Sequence, residues 1–285
     1  MIIDQLAELQ VRRTGYIRAV NRIDNAAAAL ARRHLGWRYD TPEAERSKVN
    51  ARAKAIASTF YAGKEQKEAD AAVAATLAPD LENYRQAREP FVKARVEIEK
   101  AMRKLAHQLP AWKWAETVRG FGDLAFAVIV AEIGEDLAGY KRRDSDGGRG
   151  PVDRIWKRFG LTPHAGHAAS TWRRKGGLDA EEWSAFGYAP KRNAESYAVL
   201  GDPLFRQQSV IAGPYRAVYD REKARFLAGG KPKGHAHNHG LRCMRKAALE
   251  DLWRAWNGRL PKERGDGGQG EITDGHSSNT PAPTA

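Results

Sequence analysis

Between Val118 and Gly134 the chain leaves few folding options. It reads Val118-Arg119-Gly120-Phe121-Gly122-Asp123, then the almost wholly apolar run Leu124-Ala125-Phe126-Ala127-Val128-Ile129-Val130-Ala131-Glu132-Ile133, then Gly134. Two glycines around one residue permit a turn too tight for a side chain, with backbone N–H groups turned outward. Asp123 is placed to cap the helix that follows, and Gly134 to end it in the left-handed conformation. The pattern is that of a helix-hairpin-helix, whose exposed amides and positive helix end suit a nucleic-acid phosphate. A buried helix after an ordinary glycine turn has the same local signature, so charge bears on the choice.

The 285 residues carry 48 Lys plus Arg against 35 Asp plus Glu, a net charge of +13. Such an excess is large for an enzyme of small molecules and favours a polyanionic partner. It is also uneven. Lys141–Lys175 holds ten Lys/Arg against three Asp/Glu, and Lys231–Lys262 holds eight against two. Both stretches follow the hairpin in the carboxyl-terminal part of the chain. The single cysteine, Cys243, excludes an internal disulfide and a thiolate-rich zinc site. No apolar run is long enough to cross a membrane, and the amino terminus lacks a basic stretch followed by a hydrophobic signal region. These features predict a cytoplasmic protein without a membrane partner.

Leu6, Leu9, Tyr16, Val20, Ile23, Ala27 and Leu30 recur in three- and four-residue steps interrupted by Arg13, which predicts a long helix fading near Gly36. Arg12, Arg13, Arg18, Arg22, Arg32 and Arg33 decorate it as a solvated face. Thr41-Pro42-Glu43 predicts the start of a second helix that runs toward Phe60. A short alanine-rich helix follows near 69–77. A longer one opens at Pro79-Asp80, with Pro90 kinking or restarting it before Leu109-Pro110. Pro151 to Gly160 is a short helix, and the stretch up to about Arg206 is poorly periodic. Helices return at Pro214–Leu227 and about Asn238–Trp256. His235-Ala236-His237-Asn238-His239, read as extended, places three imidazoles on one side, suited to a transition metal, to phosphate contacts or to a polar helix entry.

These residues resemble the insertion-sequence-110 group of transposases. The family's apolar-Pro-Gly-Ile-Gly hairpin and Ala-Glu-Ile-Gly helix end are similar to Val118-Arg119-Gly120-Phe121-Gly122 and Ala131-Glu132-Ile133-Gly134. Its Gly-Leu-x-Pro is similar to Gly160-Leu161-Thr162-Pro163, and its Arg-rich last helix to Leu241-Arg242-Cys243-Met244-Arg245. The resemblance covers roughly residues 5–35 and 80–256. It implies DNA recombination and transposition, with DNA and a guide RNA as partners and a homo-oligomer formed through the helical segment. It also implies a catalytic serine, for which Ser170 (before Thr171-Trp172-Arg173-Arg174-Lys175) and Ser184 are the alternatives, neither followed by the family's glycine.

The family's resolvase-like acidic domain finds no counterpart in this sequence. No cofactor is therefore expected, with Mg entering only if a partner chain supplies that domain, and autonomous catalysis is not assigned. The expected DNA contacts are Arg119, Gly120 and Gly122 at the hairpin, with Lys141, Arg142, Arg173, Arg174, Lys191, Arg192, Arg242 and Arg245 around it. A non-catalytic nucleic-acid-binding scaffold or regulator is the alternative. The expected fold is mainly α. It comprises a helical bundle or coiled coil over 1–110, a helix-hairpin-helix-containing α domain over 111–260, and a disordered tail over 261–285.

Overall fold

A computed structural model describes residues 1–137, 150–162 and 190–261. Every secondary-structure element among them is helical, as the mainly α expectation requires. In chain order these are α1 (Ile2–His34), α2 (Glu43–Tyr61), α3 (Glu68–Ala106), α4 (Trp112–Ala115), α5 (Asp123–Ile133) and α6 (Pro151–Arg158). They continue with α7 (Pro190–Ser196), α8 (Asp202–Val210), α9 (Pro214–Ala228) and α10 (Lys233–Trp256). A 3-10 turn (Gly134–Leu137) follows α5, and a π turn (Tyr197–Gly201) joins α7 to α8. The chain divides into two compact units, Glu8–Ala101 and a second one made of Met1–Ala7 with the chain from Met102 onward. The second unit thus takes both ends of the expected 1–110 domain, including buried Leu6, Met102 and Ala106.

Small residues build the core of the Glu8–Ala101 unit. Ala27 and Ala31 of α1, Ala53, Ile56 and Ala57 of α2, and Ala74, Leu77 and Leu81 of α3 are buried as one cluster. Alanine lets helix axes approach closely, and the larger Leu30, Phe60, Tyr61 and Tyr84 close the sides. Arg13, the break in the apolar stripe of α1, turns inward rather than outward. Its Nε donates to Glu99 Oε1 at 3.0 Å, with both side chains largely covered. Arg88 likewise donates to Asp24 at 2.9 Å, and Arg52 pairs with Asp70. Arg32 reaches Asn50 Oδ1 at 3.0 Å, while Arg12, Arg18, Arg22 and Arg33 stay on the solvated face.

α3 is one helix of 39 residues, not the expected short helix, break and kinked successor. Both prolines lie within it, at Pro79 and Pro90, and both are exposed. Each removes one N–H and crowds a carbonyl on the solvent side, where the helix can bow away and water can serve the freed oxygen. The buried stripe Ala74, Leu77, Leu81, Ile98 and Met102 carries the helix through. Tertiary burial wins over the local breaker.

In the other unit α5 is apolar around its whole circumference, so it is buried on all sides. Phe126–Ala131 and Ile133 have almost no exposure. Trp112, Trp114 and Phe121 pack edge-on or tilted around Phe121 and Phe126, with ring centroids 5.7–6.0 Å apart. Gly134 ends α5 at φ +69° but with ψ −142°, outside the left-handed helical conformation expected, and Gly160 stops α6 with φ +64°. α9 and α10 form an antiparallel pair. Gly240 is required there, because a Cβ would lie 2.7 Å from the Tyr219 ring and 2.9 Å from its carbonyl.

Two expectations for this half need correction. Residues 190–210 form α7, the π turn and α8, where sequence periodicity had suggested irregular chain. α10 begins at Lys233, five residues before the predicted start, so the histidine run is helical. His235 and His239 share a face one turn apart, and His237 points elsewhere, to Tyr219 Oη at 2.6 Å. Pro232 supplies the extended residue ahead of the helix, and its carbonyl accepts the Ala236 N–H at 3.0 Å.

Candidate nucleic-acid interface

The hairpin grows out of a chain that tightens step by step. α4 is a single four-residue turn rather than a full helix, so the expected first arm of a helix-hairpin-helix is short. The N–H of Val118 then donates to Ala115 O at 3.0 Å, and that of Phe121 to Val118 O at 2.9 Å. Gly120 is needed twice over. Its φ of +91° disfavours any L side chain, and a Cβ there would meet Pro203 O at 2.8 Å and Leu204 Cα at 3.1 Å. The back of the hairpin is therefore pressed onto the start of α8.

Gln208 fixes that contact. It is 2% exposed, and its Nε2 donates to Arg119 O at 3.1 Å. Its Oε1 accepts the N–H groups of Tyr215 and Arg216, each at 3.2 Å, so the same amide caps α9. Nothing in the sequence singles Gln208 out, since it lies between the weakly periodic stretch and the helix expected from Pro214. The nearest signal is Gly213, where a Cβ would lie 2.3 Å from Gln208 Oε1.

The front of the hairpin is open. Arg119 and Gly122 are exposed, and a Cβ on Gly122 would meet nothing within 4 Å. Gly122, not Asp123, takes the cap position of α5, and Asp123 becomes the first helical residue. Its Oδ1 accepts the Leu124 N–H at 2.7 Å. Arg103 Nε lies 3.4 Å from Oδ1 and His107 Nε2 3.6 Å from Oδ2, while the His107 ring stacks on Trp112 at 4.5 Å. The positive end of α5 thus already serves a carboxylate, which is flanked by the Arg103 guanidinium and the His107 ring. The open front therefore presents Arg119 and the Gly122 edge, not a bare helix terminus.

The other expected contacts do not gather at this spot. Arg192 Nε lies 3.1 Å from Glu132 Oε2, at the far end of α5, about 15 Å along its axis from Gly122 by helical rise. There it joins Arg154, 3.0 Å from Asp136, and Arg158, whose Nε donates to Glu132 O at 2.6 Å. Burial, and then the nearby Arg192 charge, push the Arg158 pKa down. The carboxyl-terminal end of α5 favours such cations. Lys191 is exposed next to this cluster in sequence.

Arg245 is a correction. Expected to touch phosphate, it is 8% exposed and donates through Nη1 to Asn193 Oδ1 at 2.8 Å and Ser196 Oγ at 3.0 Å. Its stem fills the space that Gly201 leaves, so it ties α10 to α7 and the π turn. Arg242 is half-buried, with Nη2 2.9 Å from His239 Nδ1. Lys141, Arg142, Ser170, Arg173, Arg174 and Ser184 lie outside the described residues.

No helix among the described residues is long and apolar enough to cross a membrane. Comparison of the chain with protein families, with curated proteins and with solved structures finds no match.

Proposed function

We propose that the chain is a DNA-binding protein of the recombination and transposition kind, which holds a phosphate backbone at the front of the α5 hairpin. The observation that carries this proposal is the division of the hairpin into an anchored back and an open front. Gly120 and Gln208 lock the rear, while Arg119 and Gly122 face outward. Arg119 makes no ion pair among the described residues, so its charge is available to a ligand. The net charge of +13 supplies long-range attraction for a polyanion. The proposal covers binding, with DNA and a guide RNA as candidate ligands and self-association through the helical segment. It assigns no strand transfer.

Binding of labelled duplex DNA and of single-stranded RNA, followed by fluorescence anisotropy, tests it. Gly122→Glu adds a carboxylate in open space, and Arg119→Ala removes the exposed cation. Each is expected to weaken binding about 5- to 20-fold, as the loss of one phosphate contact does, with the fold intact by circular dichroism. Unchanged affinity in both variants removes the hairpin from the interface.

A further inference from the structure

Apart from the hairpin, the described residues hold one compact group of metal-ligating side chains: Glu222 on α9 with His239 and Cys243 on α10, all buried. We propose that these three side chains form a site for a zinc-type divalent ion that staples α9 to α10. The site is independent of the nucleic-acid proposal.

The spacing matches the donor set. His239 Nε2 lies 3.4 Å from Glu222 Oε2 and 3.4 Å from Cys243 Sγ, and the three ligand atoms lie within 4.8 Å of one another. Ligands bound tetrahedrally at about 2.0–2.3 Å from zinc stand roughly 3.3–3.8 Å apart. Thiolate, imidazole and carboxylate together suit zinc and its softer neighbours, not magnesium or calcium. His239 and Cys243 are one helical turn apart and face the same way. Gly240, which lets α10 close onto Tyr219, brings the Glu222 stretch of α9 within reach.

The surroundings hold the ligands in place. Phe226 stacks on the His239 ring at 3.5 Å, fixing its plane. Arg225 Nη2, 2.8 Å from Oε2, and Arg221 Nε, 3.5 Å from Oε1, orient the Glu222 carboxylate, as outer-shell partners of metal ligands do. One contact opposes the ion. The Arg242 guanidinium can only donate, so its 2.9 Å approach to His239 Nδ1 assigns the ring proton to Nε2. Metal binding replaces that proton, which passes to Nδ1, while the Cys243 thiol releases its proton to solvent. The ring stays neutral, and Arg242 swings outward because a protonated Nδ1 repels it. Arg242 thus acts as the latch of an otherwise preformed site, and the fourth tetrahedral position is left to solvent.

Cobalt(II) titration of the purified full chain, after dialysis against chelator, tests the proposal. Cys243 is the only cysteine, so a thiolate-to-cobalt charge-transfer band reports this site alone. The expected result is such a band saturating at one equivalent and reversed by zinc. Cys243→Ser is expected to abolish it. Arg242→Gln, which offers an amide oxygen to Nδ1–H, is expected to tighten binding about 10-fold. Binding through exposed His235 or half-buried His237 would give no thiolate band. Absence of the band in the folded wild-type chain, its survival in Cys243→Ser, or weaker binding in Arg242→Gln would each overturn the proposal.

Discussion

Replacing Gly120 with alanine tests whether the hairpin is truly built from behind. At φ +91° an alanine pays the penalty of the left-handed half of the map, about 1–2 kcal/mol. Its Cβ also meets Pro203 O at 2.8 Å and Pro203 C at 3.0 Å, both backbone atoms that no rotamer change can move. Forcing extra volume into such a contact costs about 1–3 kcal/mol. The two effects together predict a loss of about 2–5 kcal/mol, a large part of the 5–15 kcal/mol typical of a folded domain. Gly122→Ala is the control. With φ −70° and open space around the new methyl, it is expected to cost less than about 1 kcal/mol, the loss of a glycine cap. Urea unfolding followed by tryptophan fluorescence reads the difference, since every tryptophan except Trp37 lies outside the Glu8–Ala101 unit. Equal midpoints for the two variants would refute the anchoring of the hairpin on α8.

Three further outcomes follow from the packing. Pro90→Ala restores an N–H in the middle of α3 and is expected to stabilise the chain by about 1–3 kcal/mol, seen as a higher melting temperature; destabilisation would mean that the proline bend is required. Arg245→Ala leaves Asn193 and Ser196 without their donor and empties space beside Gly201. It is expected to cost about 2–4 kcal/mol while leaving the salt slope of DNA binding unchanged, whereas a reduced slope would return Arg245 to the interface. Burial, and then the nearby Asp24 carboxylate, push the Tyr61 hydroxyl from its ordinary 10.0 up to about 12. The folded state therefore keeps its full Tyr61 contribution below about pH 10 and loses it as pH rises toward 12. Ultraviolet titration of wild type against Tyr61→Phe measures this ionisation, which Asp24→Asn should move down; ionisation at the ordinary value would refute the burial.

The parts of the fold that read clearly from sequence are those in which one local rule acts unopposed. Thr41-Pro42-Glu43 starts α2, Pro151 and Gly160 bound α6, and Gly134 stops α5, because each residue's backbone preference agrees with its neighbours. α3 was hidden by Pro79 and Pro90, whose local penalty is offset by the buried stripe of α3 itself. α7 and α8 were hidden because their helical turns carry few apolar residues, with Leu204 the buried one. At the hairpin, the glycines were legible and their division of labour was not. Gly120 faces protein and Gly122 faces solvent, a distinction that depends on Pro203, more than 80 residues further along. Arg13 and Arg245 have the same side chain as Arg12 and Arg119. Only the partners Glu99, Asn193 and Ser196 reveal which arginines are internal.

The central claim is that the open face of the hairpin contributes phosphate contacts. Its most direct test is the salt dependence of DNA affinity in wild type and Arg119→Ala, from about 50 to 200 mM salt. The account predicts a steep linear fall of log affinity with log salt, and a slope smaller by about one in the variant. A flat response in the wild type, or an identical slope in Arg119→Ala, would contradict it.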